Sequence, residues 1–308
     1  MRKYLFFLFG MFVLSCSNDD SSTEYTEIVE KKNKIDLKID GISSNENIEQ
    51  VSAFFSCGQS LNVTVKSKKN NVTSDLLSIN VTKEGDLQSV YFADLRGNFR
   101  QDYYSPDFIP SSTIAITDFE FIENQLLKFK FSGEVFRQKY NLLEPNHTLK
   151  IDGSVEITEF SKNICNTFIN FITLDNNIKF SNISRISQGN LPNLDIRYEG
   201  NSLNGYHINI KNLTQNLPDM PLGTYSFSNN STTEKIEFKK YIGLPKSFSH
   251  SFLIPSDWLV YETQGSFTIV EKTTINGFSV VKIKLNFTAS SNGNMEHTFT
   301  DADFVTAY

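Results

Sequence analysis

Leu61-Asn62-Val63-Thr64-Val65, a polar loop, then Leu77-Ser78-Ile79-Asn80-Val81: in both runs every second residue is apolar and the residues between are polar. A period of two puts the apolar side chains on one face of an extended strand and the polar ones on the other, so each run reads as a half-buried β-strand. The polar loop Ser67-Lys68-Lys69-Asn70-Asn71 makes the pair a hairpin candidate.

The same pattern continues outward. In the first half, strands are expected at Ile35–Asp40, Leu61–Lys66, Leu77–Thr82, Gln88–Ala93, Thr113–Thr117, Leu126–Phe131 and Thr148–Ile157. In the second half they are expected at Phe168–Leu174, Leu194–Tyr198, Tyr206–Lys211, Thr224–Ser228, Lys235–Lys239, Gly265–Val270, Val280–Ala289 and His297–Ala307. Glu84-Gly85-Asp86, Arg96-Gly97-Asn98, Glu144-Pro145-Asn146, Gly200-Asn201-Ser202, Asn276-Gly277 and Asn292-Gly293-Asn294 supply turn residues between them. Helical periodicity is scarce, and the 27 Phe and 12 Tyr suit strands.

The halves match in order and type. Leu194-Asp195-Ile196-Arg197-Tyr198 and Tyr206-His207-Ile208-Asn209-Ile210 parallel the opening pair. Ile114–Ile116 followed by Leu126–Phe131 parallels Phe267–Ile269 followed by Val281–Phe287. Each half then closes on one more strand, Leu149–Ile157 and Thr298–Val305. The expectation is an all-β chain of two tandem antiparallel β-sandwich-like modules, residues 34–160 and 161–308, with an open barrel as the alternative closure.

The N-terminus reads differently. Arg2 and Lys3 precede the apolar run Tyr4–Leu14, whose eleven residues fall short of the about 20 needed to span a bilayer as a helix. Its length suits a signal peptide, and it ends Val13-Leu14-Ser15-Cys16. That ending resembles the bacterial lipobox, which implies cleavage after residue 15 and lipid on the sulfur of Cys16. Two or three acyl chains anchor a protein stably, at about 0.8 kcal/mol for each buried CH₂. Residues 16–33 read as a polar, flexible tether with a root-mean-square span of roughly 20–25 Å. The acidic patch Ser17-Asn18-Asp19-Asp20 resembles surface-export signals of lipoproteins in the Bacteroidota.

Removing residues 1–15 leaves 27 basic against 35 acidic residues, a charge of −8. Such a chain is repelled by phosphate backbones, which argues against nucleic acid as a partner. Beyond Cys16 there are Cys57 and Cys165. A bridge between them would close a loop of about 100 residues, worth up to about 4–5 kcal/mol; two buried thiols are the alternative.

Motifs of catalysis are missing: no nucleophile elbow, no phosphate loop and no His-Glu-x-x-His. His147, His207, His250 and His297 are far apart, and His207 sits in a strand pattern, where a hydrogen-bonded structural role is the better reading. Asp301-Ala302-Asp303 has the spacing of half a calcium loop without the remaining ligands, so neither a metal nor another cofactor is expected. The aromatic stretches are the remaining candidates for binding. Tyr91–Tyr104 mixes rings with Arg96 and Arg100, and Pro255–Tyr261 holds the single Trp. Tyr103, Tyr104, Trp258 and Tyr261 are therefore the candidate ligand-binding residues, for a glycan or a protein, with core packing as the competing role for each ring.

Residues 165–308 resemble small β domains of unknown function in Bacteroidota surface lipoproteins. The matching segments are Gly223-Thr224-Tyr225, Tyr261–Ile269, Leu285–Ala289 and Thr300–Phe304. The resemblance implies an outer-membrane lipoprotein facing the cell surface and assigns no activity. The reading is of a non-enzymatic binding or interaction lipoprotein. The alternatives are an accessory capturing glycan or peptide for an uptake system, and a hydrolase with dispersed carboxylates.

Overall fold

The computed structural model describes residues 33–57, 59–69, 72–137, 147–163, 168–189, 195–213, 215–245 and 254–307. These residues form two large, almost wholly antiparallel sheets, and the expected all-β class is what the chain adopts.

The first sheet holds β1 (Lys34–Ile39), β2 (Ile42–Ser43), β3 (Ile48–Ser56), β4 (Ser60–Lys69), β5 (Val72–Thr82), β6 (Leu87–Asp94), β7 (Gln101–Tyr104), β8 (Ile114–Ile122), β9 (Leu126–Arg137), β10 (Thr148–Ile157) and β11 (Ser161–Asn163). Its neighbour order is β11-β3-β4-β5-β6-β7-β9-β10-β1-β2, with β8 also on β9. The second holds β12 (Phe171–Thr173), β13 (Lys179–Phe180), β14 (Ser184–Gln188), β15 (Asp195–Asn201), β16 (Tyr206–Leu213), β17 (Gly223–Phe227), β18 (Lys235–Tyr241), β19 (Trp258–Ile275), β20 (Phe278–Ser291) and β21 (Asn294–Ala307). Its order is β13-β12-β21-β20-β19-β18-β16-β15-β14, with β17 also on β19.

The two orders correspond. Each sheet opens with a short hairpin, β1–β2 or β12–β13. A four-strand meander follows, β3-β4-β5-β6 or β14-β15-β16-β18. Three strands then run β8-β9-β10 or β19-β20-β21, and the last returns beside the opening strand: β10 pairs β1, and β21 pairs β12. The segments that looked alike in the sequence occupy the same places in this shared plan.

Alternation produces the burial. Along β4 the residues alternate half-buried and buried, and Leu61, Val63 and Val65 are fully enclosed. Leu37 and Ile39 of β1 join the same cluster as Leu77 and Ile79 of β5 and Phe129 and Phe131 of β9, so the first sheet wraps one apolar core. Tyr198, Phe238, Phe267, Ile283 and Phe304 belong to a separate core wrapped by the second. Each fully buried Phe or Ile contributes about 1.5–3 kcal/mol of transfer free energy. Gly153 of β10 shows the tightness. A Cβ there would lie 2.2 Å from the Asp36 carbonyl oxygen and 2.5 Å from the Phe131 ring.

β11 follows the expected module boundary, yet it pairs in parallel with β3 and extends the first sheet to Asn163. Both sheets fall within one compact unit. Their junction is aromatic: Phe108 and Ile109, between β7 and β8, pack with Tyr241 and Trp258 at the β18–β19 end of the second sheet. No helix among the described residues is long and apolar enough to cross a membrane.

Candidate functional site

Three hairpin connections of the first sheet meet at one end. The β1–β2 turn is Asp40-Gly41, with both residues at positive φ (50° and 80°), as a type I′ turn demands. The β4–β5 hairpin ends at the pair Lys69 and Val72. The β6–β7 connection runs from Leu95 to Arg100.

Polar side chains tie the three together. The Lys69 ammonium donates to the carbonyls of Leu95 and Gly97. Arg96 forks onto the Asp94 carboxylate through Nε (3.0 Å) and Nη2 (3.1 Å), and Nη2 lies 3.5 Å from Asp40 in the β1–β2 turn. Burial works against the Asp94 charge, but the hydrogen bonds from Arg96 outweigh it and hold the carboxyl below its ordinary range; the same bonds raise Arg96. Glu49 of β3 accepts from the Thr73 hydroxyl (3.2 Å) and lies 3.9 Å from the Lys68 ammonium. At the base of the loop, Arg100 donates to Asp102 (2.8 Å), and its guanidinium sits 5.6 Å from the centre of the Tyr91 ring. The Tyr91 hydroxyl donates to Asp102 (2.6 Å). Exposed ion pairs of this kind add about 0–1 kcal/mol each to stability, so their consequence here is position.

What they position is apolar. Phe99, in the β6–β7 connection, is 83% exposed, and Ile42 and Val72, the first residues of β2 and β5, are each 65% exposed. Contiguous exposed apolar surface marks interaction sites on soluble proteins. The basic groups Arg96, Arg100 and Lys68 each face a carboxylate, whereas Lys69 donates to neutral carbonyls.

The four ring candidates lie elsewhere, and most are packed. Tyr103 is 4% exposed against Phe92, and its hydroxyl donates to Gln101 (3.1 Å). Tyr104 is half-buried, 5.3 Å from the Tyr91 ring. Trp258 is buried in the junction, 5.0 Å from Phe108, 5.4 Å from Tyr241 and 6.0 Å from His207. Tyr261 is buried in the second core, 5.4 Å from Phe238. Removing apolar ring surface from water turned Tyr103, Trp258 and Tyr261 inward, so their faces are not open to a ligand. Core packing, the competing role, is what the structure shows for these three. The exposed anchor of the same stretch is Phe99, which follows the turn signal Arg96-Gly97-Asn98; a bulky apolar residue after a turn was the clue available in the sequence.

Cys57 is disulfide-bonded. The other cysteines, Cys16 and Cys165, lie outside the described residues, as does His250.

The remaining candidates for chemistry are structural. His207 is buried with Nδ1 2.9 Å from the Asn201 Oδ1. Burial and the nearby Lys239 push its pKa down to about 4, which keeps the ring neutral. His297 packs its ring on Phe299 (5.6 Å, nearly parallel). Asp303 accepts from Lys284 (2.7 Å), and the Asp301 backbone N–H donates to the Asn286 side chain (2.9 Å) at a register shift between β20 and β21. The half-calcium spacing thus serves a strand irregularity. Among the described residues no three or more His, Cys, Asp or Glu are grouped to hold a metal ion.

No protein-family model, no curated protein and no solved structure matches the chain.

Proposed function

We propose that this chain is a lipoprotein, anchored in the outer membrane through lipid on Cys16 and facing the cell surface, that acts by binding a macromolecular partner rather than by catalysis. The observation that carries this reading joins the sequence to the fold. The tether that begins at Cys16 enters the body at Asn33. The Asn33 side chain grips the end of the first sheet: its Oδ1 accepts the backbone N–H groups of Thr158 and Glu159 (3.0 Å each), and its Nδ2 donates to the Glu159 carbonyl (3.1 Å). β1 then runs to Asp40, about 20 Å away at about 3.3 Å per residue. The exposed Ile42, Val72 and Phe99 therefore stand at the opposite end of β1 from Asn33. An anchor at one end and apolar anchors at the other suit a protein that presents a binding face outward.

The resemblance to Bacteroidota surface lipoproteins agrees with this location. Its segments come together in the fold: Tyr225 stacks on Phe267 (5.2 Å), and Leu285 pairs in register with Phe267 on one side and Ala302 on the other. The test is protease treatment of intact cells. Digestion of the wild-type body, with Cys16→Ser leaving the membrane fraction, supports the reading. Full protection on intact cells together with digestion in lysates overturns the surface-facing claim.

A further inference from the structure

A groove runs between the two sheets on the side of the β3–β4 and β5–β6 turns. It comprises two adjoining cavities of about 400 and 410 Å³. Gln59, Gln88 and Ser181 line both; Phe171 lines the first, and Phe168 and Asn182 the second. Ligand sites favour such boundaries between bodies and have volumes of this order.

Both walls are built before any ligand arrives. On the first sheet, the Gln59 backbone N–H donates to Ser56 (3.1 Å), and its carbonyl accepts from Lys83 (3.0 Å). The β5–β6 turn beside it is closed by Thr82 donating to the Asp86 carbonyl (2.8 Å) and by the Thr82 hydroxyl accepting from the Asp86 N–H (3.0 Å). On the second sheet, the Asn170 side chain donates to the Ile183 carbonyl (3.1 Å) and accepts from the Thr306 hydroxyl and the Ala307 N–H (3.0 Å each). That ties the Phe168–Phe171 segment to the Ser181–Ile183 segment. Preorganised walls reduce the ordering cost of binding.

Apart from Lys83, Glu84 and Lys179, the lining is uncharged. Gln59, Gln88 and Asn182 have neutral amides, each with two donors and one acceptor oxygen, which no side chain of the described residues engages; Ser181 adds a hydroxyl. Phe168 and Phe171 are half-buried, leaving ring surface beside these amides. Lys83 and Glu84, also on the rim, lie 3.8 Å from each other. Paired amide groups match vicinal hydroxyls, and an aromatic face matches the C–H face of a sugar ring.

We infer that this groove binds a neutral oligosaccharide, with the amides of Gln59, Gln88 and Asn182 on its hydroxyls and Phe168 or Phe171 against a ring. The inference concerns the body of the protein and stands whether or not Cys16 carries lipid.

The experiment is titration calorimetry of the full chain, solubilised in detergent, with maltohexaose, laminarihexaose, cellohexaose and xylohexaose in turn. At least one is expected to bind. Gln88→Ala and Phe171→Ala should each weaken that binding about tenfold, the scale of one lost hydrogen-bonded or stacking contact in a desolvated site. If Phe171→Ala unfolds, Ser181→Trp, which fills the groove from a wall residue, should abolish binding with an unchanged circular dichroism spectrum. No heat with any of the four at millimolar concentration overturns the inference. So does binding that survives Gln88→Ala and Ser181→Trp at full strength.

Discussion

Phe108→Ala should uncouple the two sheets while leaving each core intact. Phe108 is 5% exposed and belongs to neither main core. Its ring lies 5.0 Å from Trp258 and 5.4 Å from Tyr241, both supplied by the second sheet. Burial of a Phe side chain contributes about 1.5–3 kcal/mol, and each ring pair adds about 0.5–1.5 kcal/mol. Truncation should therefore remove about 3–5 kcal/mol, the usual range for a buried Phe→Ala, and remove it from the junction. The chain carries its own reporter, because Trp258 is the single tryptophan and sits in that junction. In urea, the wild type should show Trp fluorescence and far-ultraviolet circular dichroism changing together. In Phe108→Ala the fluorescence transition should move to lower urea and separate from the circular dichroism transition. Phe129→Ala, inside the first core, should instead lower the circular dichroism midpoint. Coincident transitions in Phe108→Ala, with a loss under about 1 kcal/mol, would refute the claim that this cluster joins the bodies.

Three further outcomes are expected. The depressed pKa of His207, about 4 against an ordinary 6.5, means that the unfolded chain takes up the proton first as pH falls. Stability should hold above pH 6.5 and drop by about 3 kcal/mol between pH 6.5 and 4. Urea midpoints across that window should fall less steeply in His207→Asn, and an equal slope would contradict the assignment. The parallel pairing of β11 with β3 sets Asn163 opposite Ser56, next to the disulfide-bonded Cys57. Peptide mapping without reductant should accordingly recover Cys57 joined to Cys165, and alkylation of a free Cys165 would exclude that bridge. Phe99→Asp should change stability by no more than about 0.5 kcal/mol, because the ring is 83% exposed, yet abolish recovery of whatever partner crosslinks to the wild type on cells. An unchanged crosslinking pattern would remove the hairpin tips from the binding face.

Much of this fold was legible because burial on one face imposes a period of two. β10 occupies the very span expected for it, Thr148–Ile157, and the Asn276-Gly277 and Asn292-Gly293 turns carry positive φ at both residues, as type I′ hairpins require. The failures have local causes. β3 was missed because a register shift between Ile48 and Gln50 leaves Glu49 and Gln50 both exposed and erases the alternation. β19 was expected only at Gly265–Val270, yet it runs from Trp258 to Ile275; two residues, Leu259 and Val260, separate the buried Trp258 and Tyr261 and break the period at its start. β14, with Ile186 as its only apolar residue, is an exposed edge with no burial pattern to read. The hairpin-tip surface was only partly visible. Arg96 and Arg100 stood out by composition, with Asp94 and Asp102 two residues away from them, but Asp40 and the bracing Lys69 reach the cluster only through the fold.

The most direct test of the account is the intact mass of the N-terminal peptide from the protein extracted out of bacterial membranes. The account predicts a chain that begins at Cys16 and carries a diacylglyceryl thioether with a further acyl group on the amine. A chain that retains residues 1–15, or an unmodified Cys16, would contradict it.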